Sequence, residues 1–517
     1  MNVVSLGGAT THEGGAPTAD GRLLELRPRL ARSDWPVVLL LVLIIAGLGA
    51  HGVGLGLSSH SDSRAIVEKS IPAILHGAYA PSRSFGVPLY EVIAAWVYGA
   101  TGSFTAVNCY SLVLAIASLF LFAGLLDRSL SVARRSLVLA GFALNPLVLI
   151  NSSALIEWMQ MTFLLVILLV NAKAWLDHQR TLHLLGYGFS SALLVLTRPD
   201  MAVMCLALLL ALLWETRFDS RCAVQLVVAN LVAGLATATI FVVINHGIDF
   251  IAQGNVLSDD PLLRRFGVAT IGTINIFGPL GMVVITFLAF NLVRRTLSRD
   301  RTGISWWGRL LLVTGPLFFA RFVLVPDKLE YVLPLIVVVL LAVAHERLSL
   351  TWVAVVAVSL VMTSAVCVSL FQRTDGTDRF TVAIHANRGA LAQEWEATRY
   401  DRLLTSRRFL DNLADLVYAG ESPPRPRLHV NEIGLFSDEN DLIVGEEQLY
   451  RLDNERFPSL KSQRKAYRRV YICDGSLIGF FPGWRVLQRP PTLPRIEPTT
   501  GQLVLRCWQE GPLGHGS

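Results

Sequence analysis

The chain has 517 residues, 53% of them hydrophobic and 16% charged, with 45 Lys and Arg against 39 Asp and Glu. Soluble domains carry about 25% charged residues, so this composition excludes a protein that is soluble along its whole length. The net charge of +6 does not point to nucleic acid: residues 372–517 hold 20 Lys and Arg against 19 Asp and Glu, and the excess lies among the apolar runs.

The first 34 residues are polar and glycine-rich, with Arg22, Arg27, Arg29 and Arg32 standing before Trp35. The apolar run Trp35–Leu57 is too long for a signal-peptide core and no clear cleavage site follows it, so it reads as a retained first span. Further spans are expected at Phe104–Leu126, Ser136–Ser153, Trp158–Leu176, His183–Leu196, Ala202–Trp214, Ala223–Asn245, Ile271–Val293, Leu310–Val325, Tyr331–Ala344 and Leu350–Phe371. Most approach the roughly 20 residues that a helix needs to cross a bilayer. That makes about 11 crossings, with His183–Leu196 and Ala202–Trp214 short enough to form a re-entrant or tilted pair. Gly86–Gly102 is also apolar and is expected as a surface helix in the first outer loop, because counting it as a span would invert every later loop. The fold class is therefore an α-helical polytopic membrane region, residues 35–371, followed by a small α/β soluble domain, residues 372–517.

In that tail, Thr381–Ala419 carries apolar residues near the helical period. Pro423-Pro424-Arg425-Pro426 then breaks the chain, and strand-like runs follow at Leu428–Val430, Arg469–Cys473, Arg485–Gln488 and Leu503–Trp508. Cys473 and Cys507, each at the end of such a run, are candidates for a disulfide on an oxidising side of the membrane.

Charge sets the orientation. With the N-terminus in the cytoplasm, the inner segments hold 17 Lys and Arg and the outer ones eight, as the positive-inside tendency requires. This puts the tail outside the cytoplasmic membrane. It also gathers Asp62, Arg83, Glu157, Arg198, Asp200, Arg321, Asp327, Lys328 and Glu330 on one outer surface, from separate loops. Ionisable groups beside a bilayer are costly, which favours a functional use. Plainer uses stay open for each. Glu157 would complement a helix N-terminus, Arg83 would snorkel as an interfacial anchor, and Arg198-Pro199-Asp200 would be a helix break with a local ion pair. Arg321 would pair with Asp327, and Tyr79 and Tyr90 would be interface aromatics. The glycines of "GLGAHGVGLGL" lie inside an apolar span and read as a helix–helix contact, not a phosphate loop.

The order of these features carries a resemblance. A first helix leads to an outer loop with Asp62; "GAYAPSRSFGVPLYE" runs into the surface helix; Asn145-Pro146 stands near the end of a later helix; Glu157 occupies the next short outer loop; and "LTRPD" and "DKLEYVLP" follow. Over roughly residues 35–345 the chain resembles the bacterial polyprenyl-phosphate-sugar-dependent glycosyltransferases of the GT-C fold, a class that includes mannosyltransferases and aminoarabinose transferases. The resemblance implies an inverting transfer from a lipid-phosphate-linked sugar to a hydroxyl on a glycan, lipid or protein acceptor. It implies Asp62 as the base, with Glu157 the second catalytic candidate. Tyr79, Arg83, Arg198, Asp200, Arg321, Asp327, Lys328 and Tyr331 would form the substrate and phosphate site, since the arginine fork matches phosphate oxygens. Asp62 departs from the pattern in having serine neighbours where many relatives carry two adjacent acids. A cofactor is not implied, and a divalent cation stays open. The alternatives are a transporter or flippase of lipid-linked sugars, which would place its charges at mid-depth in paired repeats, and a non-enzymatic membrane scaffold.

Overall fold

The computed structural model describes residues 32–53, 63, 65–83, 86–245, 247, 262–298, 304–325 and 329–363, and in the tail residues 366–372, 380–386, 414–415, 417–418, 426, 428–430, 435–437, 441–445, 469–473 and 507–509. Asp62, Asp327 and Lys328 lie outside the described residues.

The helical part begins with α1 (Trp35–Val53) and, after a π-helical turn at Ile66–Ser70, continues through the short α2 (Ile71–Leu75), α3 (Pro88–Thr101) and α4 (Phe104–Leu125). Then come α5 (Val132–Ala143), α6 (Pro146–Asn151), α7 (Trp158–His178), α8 (Thr181–Thr197), α9 (Ala202–Glu215) and α10 (Ser220–Ile244). The series closes with α11 (Leu262–Phe277), α12 (Pro279–Leu297), α13 (Trp306–Leu324), α14 (Leu333–His345) and α15 (Leu350–Met362). Among the described residues five helices, α4, α7, α10, α12 and α13, are long and apolar enough to cross a membrane, and four shorter apolar helices accompany them. Of the 11 crossings expected, five are helices of full length among the described residues.

Two expected spans are broken, each by proline chemistry. Ser136–Ser153 divides at Asn145-Pro146, because proline disfavours the helical region for the residue before it. Asn145 adopts extended angles, its side-chain oxygen accepts from Leu147 N at 3.0 Å, and its Nδ2 donates to Leu360 O at 3.1 Å. Ile271–Val293 divides at Gly278, which has φ +70° immediately before Pro279. The span expected to run to Phe371 ends as a helix at Met362. Val366–Gln372 is instead strand β1, paired antiparallel with β2 (Phe380–Ala386), where helical period was expected. Val366, Val368 and Phe371 suit a strand better than a helix.

The core is organised around α14. Every residue from Leu333 to Ala344 is buried, as expected of a helix that is apolar on all sides. In contrast α10 leaves Val224, Leu231, Leu235 and Val243 exposed, the pattern of a helix facing lipid. Polar groups concentrate at the two ends of the bundle. One end carries buried ties between Asp34 and Arg135 at 2.8 Å and between Arg295 and Glu346 at 3.1 Å, and a further pair between Glu215 and Arg309. The other end lies where α7 begins and α13 finishes.

In the tail, β3 (Leu428–Val430), β4 (Leu435–Ser437), β5 (Asp441–Gly445), β6 (Arg469–Cys473) and β7 (Cys507–Gln509) form one sheet in that order, antiparallel except between β5 and β6. The register of β6 and β7 sets Cys473 opposite Cys507. The expected run Arg485–Gln488 lies outside the described residues.

Candidate functional site

At the α7 start, four chain segments deliver charges to one point. Glu157 precedes Trp158 and is fully buried. Its carboxylate caps no helical N–H; it accepts instead from two guanidiniums. Arg83 donates from Nη1 to Oε1 and from Nη2 to Oε2, both at 3.2 Å. Arg198 donates from Nη1 to Oε1 at 2.5 Å. Arg198 also donates from Nε to Asp200 Oδ1 at 3.0 Å, and the second Asp200 oxygen accepts from Arg321. The result is a chain of alternating charge: Arg83, Glu157, Arg198, Asp200, Arg321.

Local sequence explains the placement. Pro199 forces Arg198 out of the helix, to φ −150° and ψ 113°. The 3₁₀ turn Pro199–Met201 then returns the Asp200 carboxylate toward the same guanidinium. Arg321 arrives from the last turn of α13. Aromatic rings floor the cluster. The Arg198 guanidinium carbon lies 3.8 Å from the Trp158 ring centre and 5.0 Å from that of Tyr331, and that of Arg321 lies 4.4 Å from Tyr331. These are cation–π distances. Trp158 and Tyr331 meet edge to face at 5.6 Å. The Trp158 indole N–H is buried and, among the described residues, has no hydrogen-bond partner.

The charges tune one another. Burial pushes the Asp200 carboxyl up, but Arg198 and Arg321 outweigh it and hold it below the ordinary carboxylate value. Burial likewise opposes the Arg198 charge, and Asp200 and Glu157 outweigh it, so this guanidinium is held charged. Three guanidiniums and two carboxylates alternate in the described part of the cluster. Arg83 and Arg321 are its accessible members, with side chains 25% and 15% exposed, whereas Arg198 is 6% exposed.

The structure brings together Arg83, Glu157, Arg198, Asp200, Arg321 and Tyr331. Arg83 is not a free interfacial anchor, and Arg321 pairs with Asp200. Tyr79 stands beside the cluster, donating from its hydroxyl to Glu91. Tyr90 is fully buried and so is no interface aromatic. Two neighbours escaped the sequence reading. Trp158 opens an apolar run, and Glu91 is the last residue of "GAYAPSRSFGVPLYE"; neither has a role in that reading. For a divalent cation, Glu157 is a poor ligand, since two guanidiniums already contact its oxygens and would repel a dication. Among the described residues no group of three or more His, Cys, Asp or Glu side chains could hold a metal.

No family model matches this sequence, and no curated protein sequence is similar to it. Its structure is similar to that of ArnT from Cupriavidus metallidurans in the apo state, at 16% identity and TM-score 0.44, over 61% of this chain and 61% of that one. It is also similar to the arabinosyltransferase EmbB from Mycobacterium smegmatis, at 18% identity and TM-score 0.42, over 66% of this chain and 32% of that one. Both are membrane glycosyltransferases of the GT-C fold. The match thus spans about three fifths of the ArnT chain and one third of EmbB. Both TM-scores fall below 0.5, so the functional reading rests on this chain's own residues.

Proposed function

We propose that this chain is an inverting glycosyltransferase that moves a sugar from a polyprenyl-phosphate donor to an acceptor hydroxyl at the outer face of the cytoplasmic membrane. The observation that carries this reading is the convergence of Arg83, Arg198 and Arg321 over two carboxylates and two aromatic rings at one end of an apolar bundle. A sugar joined to a lipid phosphate is a monoanionic diester, and guanidinium forks match its phosphate oxygens.

In the reaction the acceptor oxygen bonds to the anomeric carbon as the bond from that carbon to the phosphate oxygen breaks. The acceptor's proton passes to the Asp62 carboxylate, and the lipid phosphate leaves with the bonding pair. Negative charge grows on the phosphate during this step. Arg83 and Arg321, the less buried guanidiniums, are the residues to stabilise it. Arg198, bonded to two carboxylates and 6% exposed, holds the cluster's shape. The unmet Trp158 N–H is a donor that a sugar hydroxyl or phosphate oxygen would satisfy.

The test is a transfer assay on the purified chain in nanodiscs, with a panel of polyprenyl-phosphate sugars and extracted envelope lipids and glycans as acceptors. Turnover that disappears in folded Asp62→Asn, and falls at least about tenfold in Arg321→Ala, supports the reading. Turnover that survives in Asp62→Asn moves the base elsewhere. An inactive wild type that moves lipid-linked sugars across proteoliposomes makes the chain a flippase instead.

A further inference from the structure

We propose that Glu91 is the positioning residue of the site: it ties the loop 79–87 into the one shape that delivers Arg83 to Glu157. The functional part of this inference rests on the lipid-phosphate reading above. Glu91 sits in the first turn of α3 and is fully buried. Among the described residues none of its hydrogen-bond donors is a cation. Oε1 accepts from Ser70 Oγ at 3.0 Å and from Ser82 N at 2.9 Å. Oε2 accepts from Val87 N at 3.2 Å and from the Tyr79 hydroxyl. One carboxylate therefore holds the start, the middle and the end of the loop, and through Ser70 the preceding π turn as well.

Arg83 is the residue next to the Ser82 amide that Glu91 grips. Its carbonyl also accepts from Gly86 N at 2.8 Å, closing a tight turn. Gly86 completes the arrangement with φ +66°: a Cβ there would lie 2.4 Å from the Tyr79 hydroxyl oxygen and 3.4 Å from Glu91 Oε2. The loop backbone is packed onto the carboxylate it is tied to. A helix-end acid that only complements the dipole would bond its own helix, and Glu91 instead spends three of its four bonds on chain beyond the N-cap Val87.

The bonding pattern supplies a discriminating substitution. Both carboxylate oxygens accept from backbone N–H groups, so Glu91→Gln must turn an NH₂ toward either Ser82 N–H or Val87 N–H. It is close in shape, yet it breaks one tie. The experiment compares wild type, Glu91→Gln, Arg83→Ala and the double variant, each as full-length protein in nanodiscs, with farnesyl phosphate as the probe. Hydrogen exchange and thermal unfolding are measured on the same samples.

We expect Glu91→Gln to weaken farnesyl phosphate binding about as much as Arg83→Ala, on the order of tenfold, and the double variant to bind no more weakly than Arg83→Ala alone. The amides of residues 82 and 87 should exchange faster in Glu91→Gln while those of α4 and α7 do not change. Additive losses in the double variant overturn the proposal, as do unchanged loop amides or faster exchange throughout the bundle. If wild type fails to bind farnesyl phosphate, the phosphate reading falls, and the positioning claim is then judged by melting temperature. Non-additive shifts of Glu91→Gln and Arg83→Ala support it, and additive shifts overturn it.

Discussion

Glu157 is a fully buried carboxylate between two guanidiniums, and removing one partner of such a group leaves the others uncompensated. Breaking a buried ion pair in this way costs about 3–5 kcal/mol. Glu157→Ala should therefore lower the thermal unfolding midpoint sharply, because Arg198, with its side chain 6% exposed, would keep Asp200 alone. A midpoint equal to wild type would mean that these pairs do not hold α7 against α8. Asp200 gives the pH counterpart. Its carboxyl is lowered from 3.8 in the folded protein, so the unfolded chain binds that proton more tightly. Its contribution is then fully present above pH ~3.9 and is lost as pH falls through the lower folded value. The melting-temperature difference between wild type and Asp200→Asn should hold above pH ~3.9 and shrink as pH falls below it; a constant difference would show that the folded carboxyl is not held charged. At this scale the charged members of the cluster were legible in sequence. Each interrupts or borders an apolar run, where charge is rare, and sidedness brings them to one surface. Glu91 and Trp158 were not legible, because an acid at a helix start and a tryptophan in an apolar run each have a common structural use. Only the folded contacts separate them from that use.

The loop 79–87 and the helix breaks show how single residues shape whole elements. Gly86 and Gly77 both adopt positive φ, at +66° and +80°, but a Cβ at Gly77 would meet nothing within 4 Å. Gly77→Ala should therefore cost only the left-handed backbone term, about 1–2 kcal/mol. Gly86→Ala adds a collision with the Tyr79 hydroxyl and displaces its bond to Glu91. The expected result is a larger loss of thermal stability for Gly86→Ala and new protease sensitivity confined to residues 79–87. Equal losses in the two variants would mean that the Tyr79–Glu91 contact contributes nothing to the loop. The helices themselves were largely readable from apolar runs, yet two breaks within them were not. Asn145-Pro146 lies inside a continuous apolar stretch, and only its cap bond to Leu147 and its reach to Leu360 make it a break. Gly278-Pro279 needs a positive φ that composition does not announce. The strand Val366–Gln372 was hidden for a related reason: a short apolar run fits a span as well as a strand until its partner, Phe380–Ala386, is in place.

For the whole molecule, orientation decides the chemistry of the tail. If the charge asymmetry of 17 against eight Lys and Arg sets the orientation proposed above, the Arg83–Glu157 end and the tail lie outside. The β6–β7 register sets Cys473 directly opposite Cys507 on antiparallel neighbours. Opposed residues in such a pair have Cα atoms about 4.5–5.5 Å apart, inside the roughly 4.4–6.8 Å that a disulfide spans. The backbone therefore permits the bond, and the compartment determines whether it forms. Two measurements on intact cells follow from one orientation. In a background lacking the other cysteines, Thr101→Cys at the exposed end of α3 should react with a membrane-impermeant maleimide. His178→Cys, exposed at the far end of α7, should react only after permeabilisation. In otherwise unmodified protein, Cys473 and Cys507 should resist alkylation under denaturing, non-reducing conditions and become reactive after reduction. If the labelling pattern is reversed, the tail faces a reducing cytoplasm and both thiols should be free. Thr101→Cys labelled from outside together with free Cys473 and Cys507 would keep the orientation but remove the disulfide. The β6–β7 pairing would then hold by its hydrogen bonds alone.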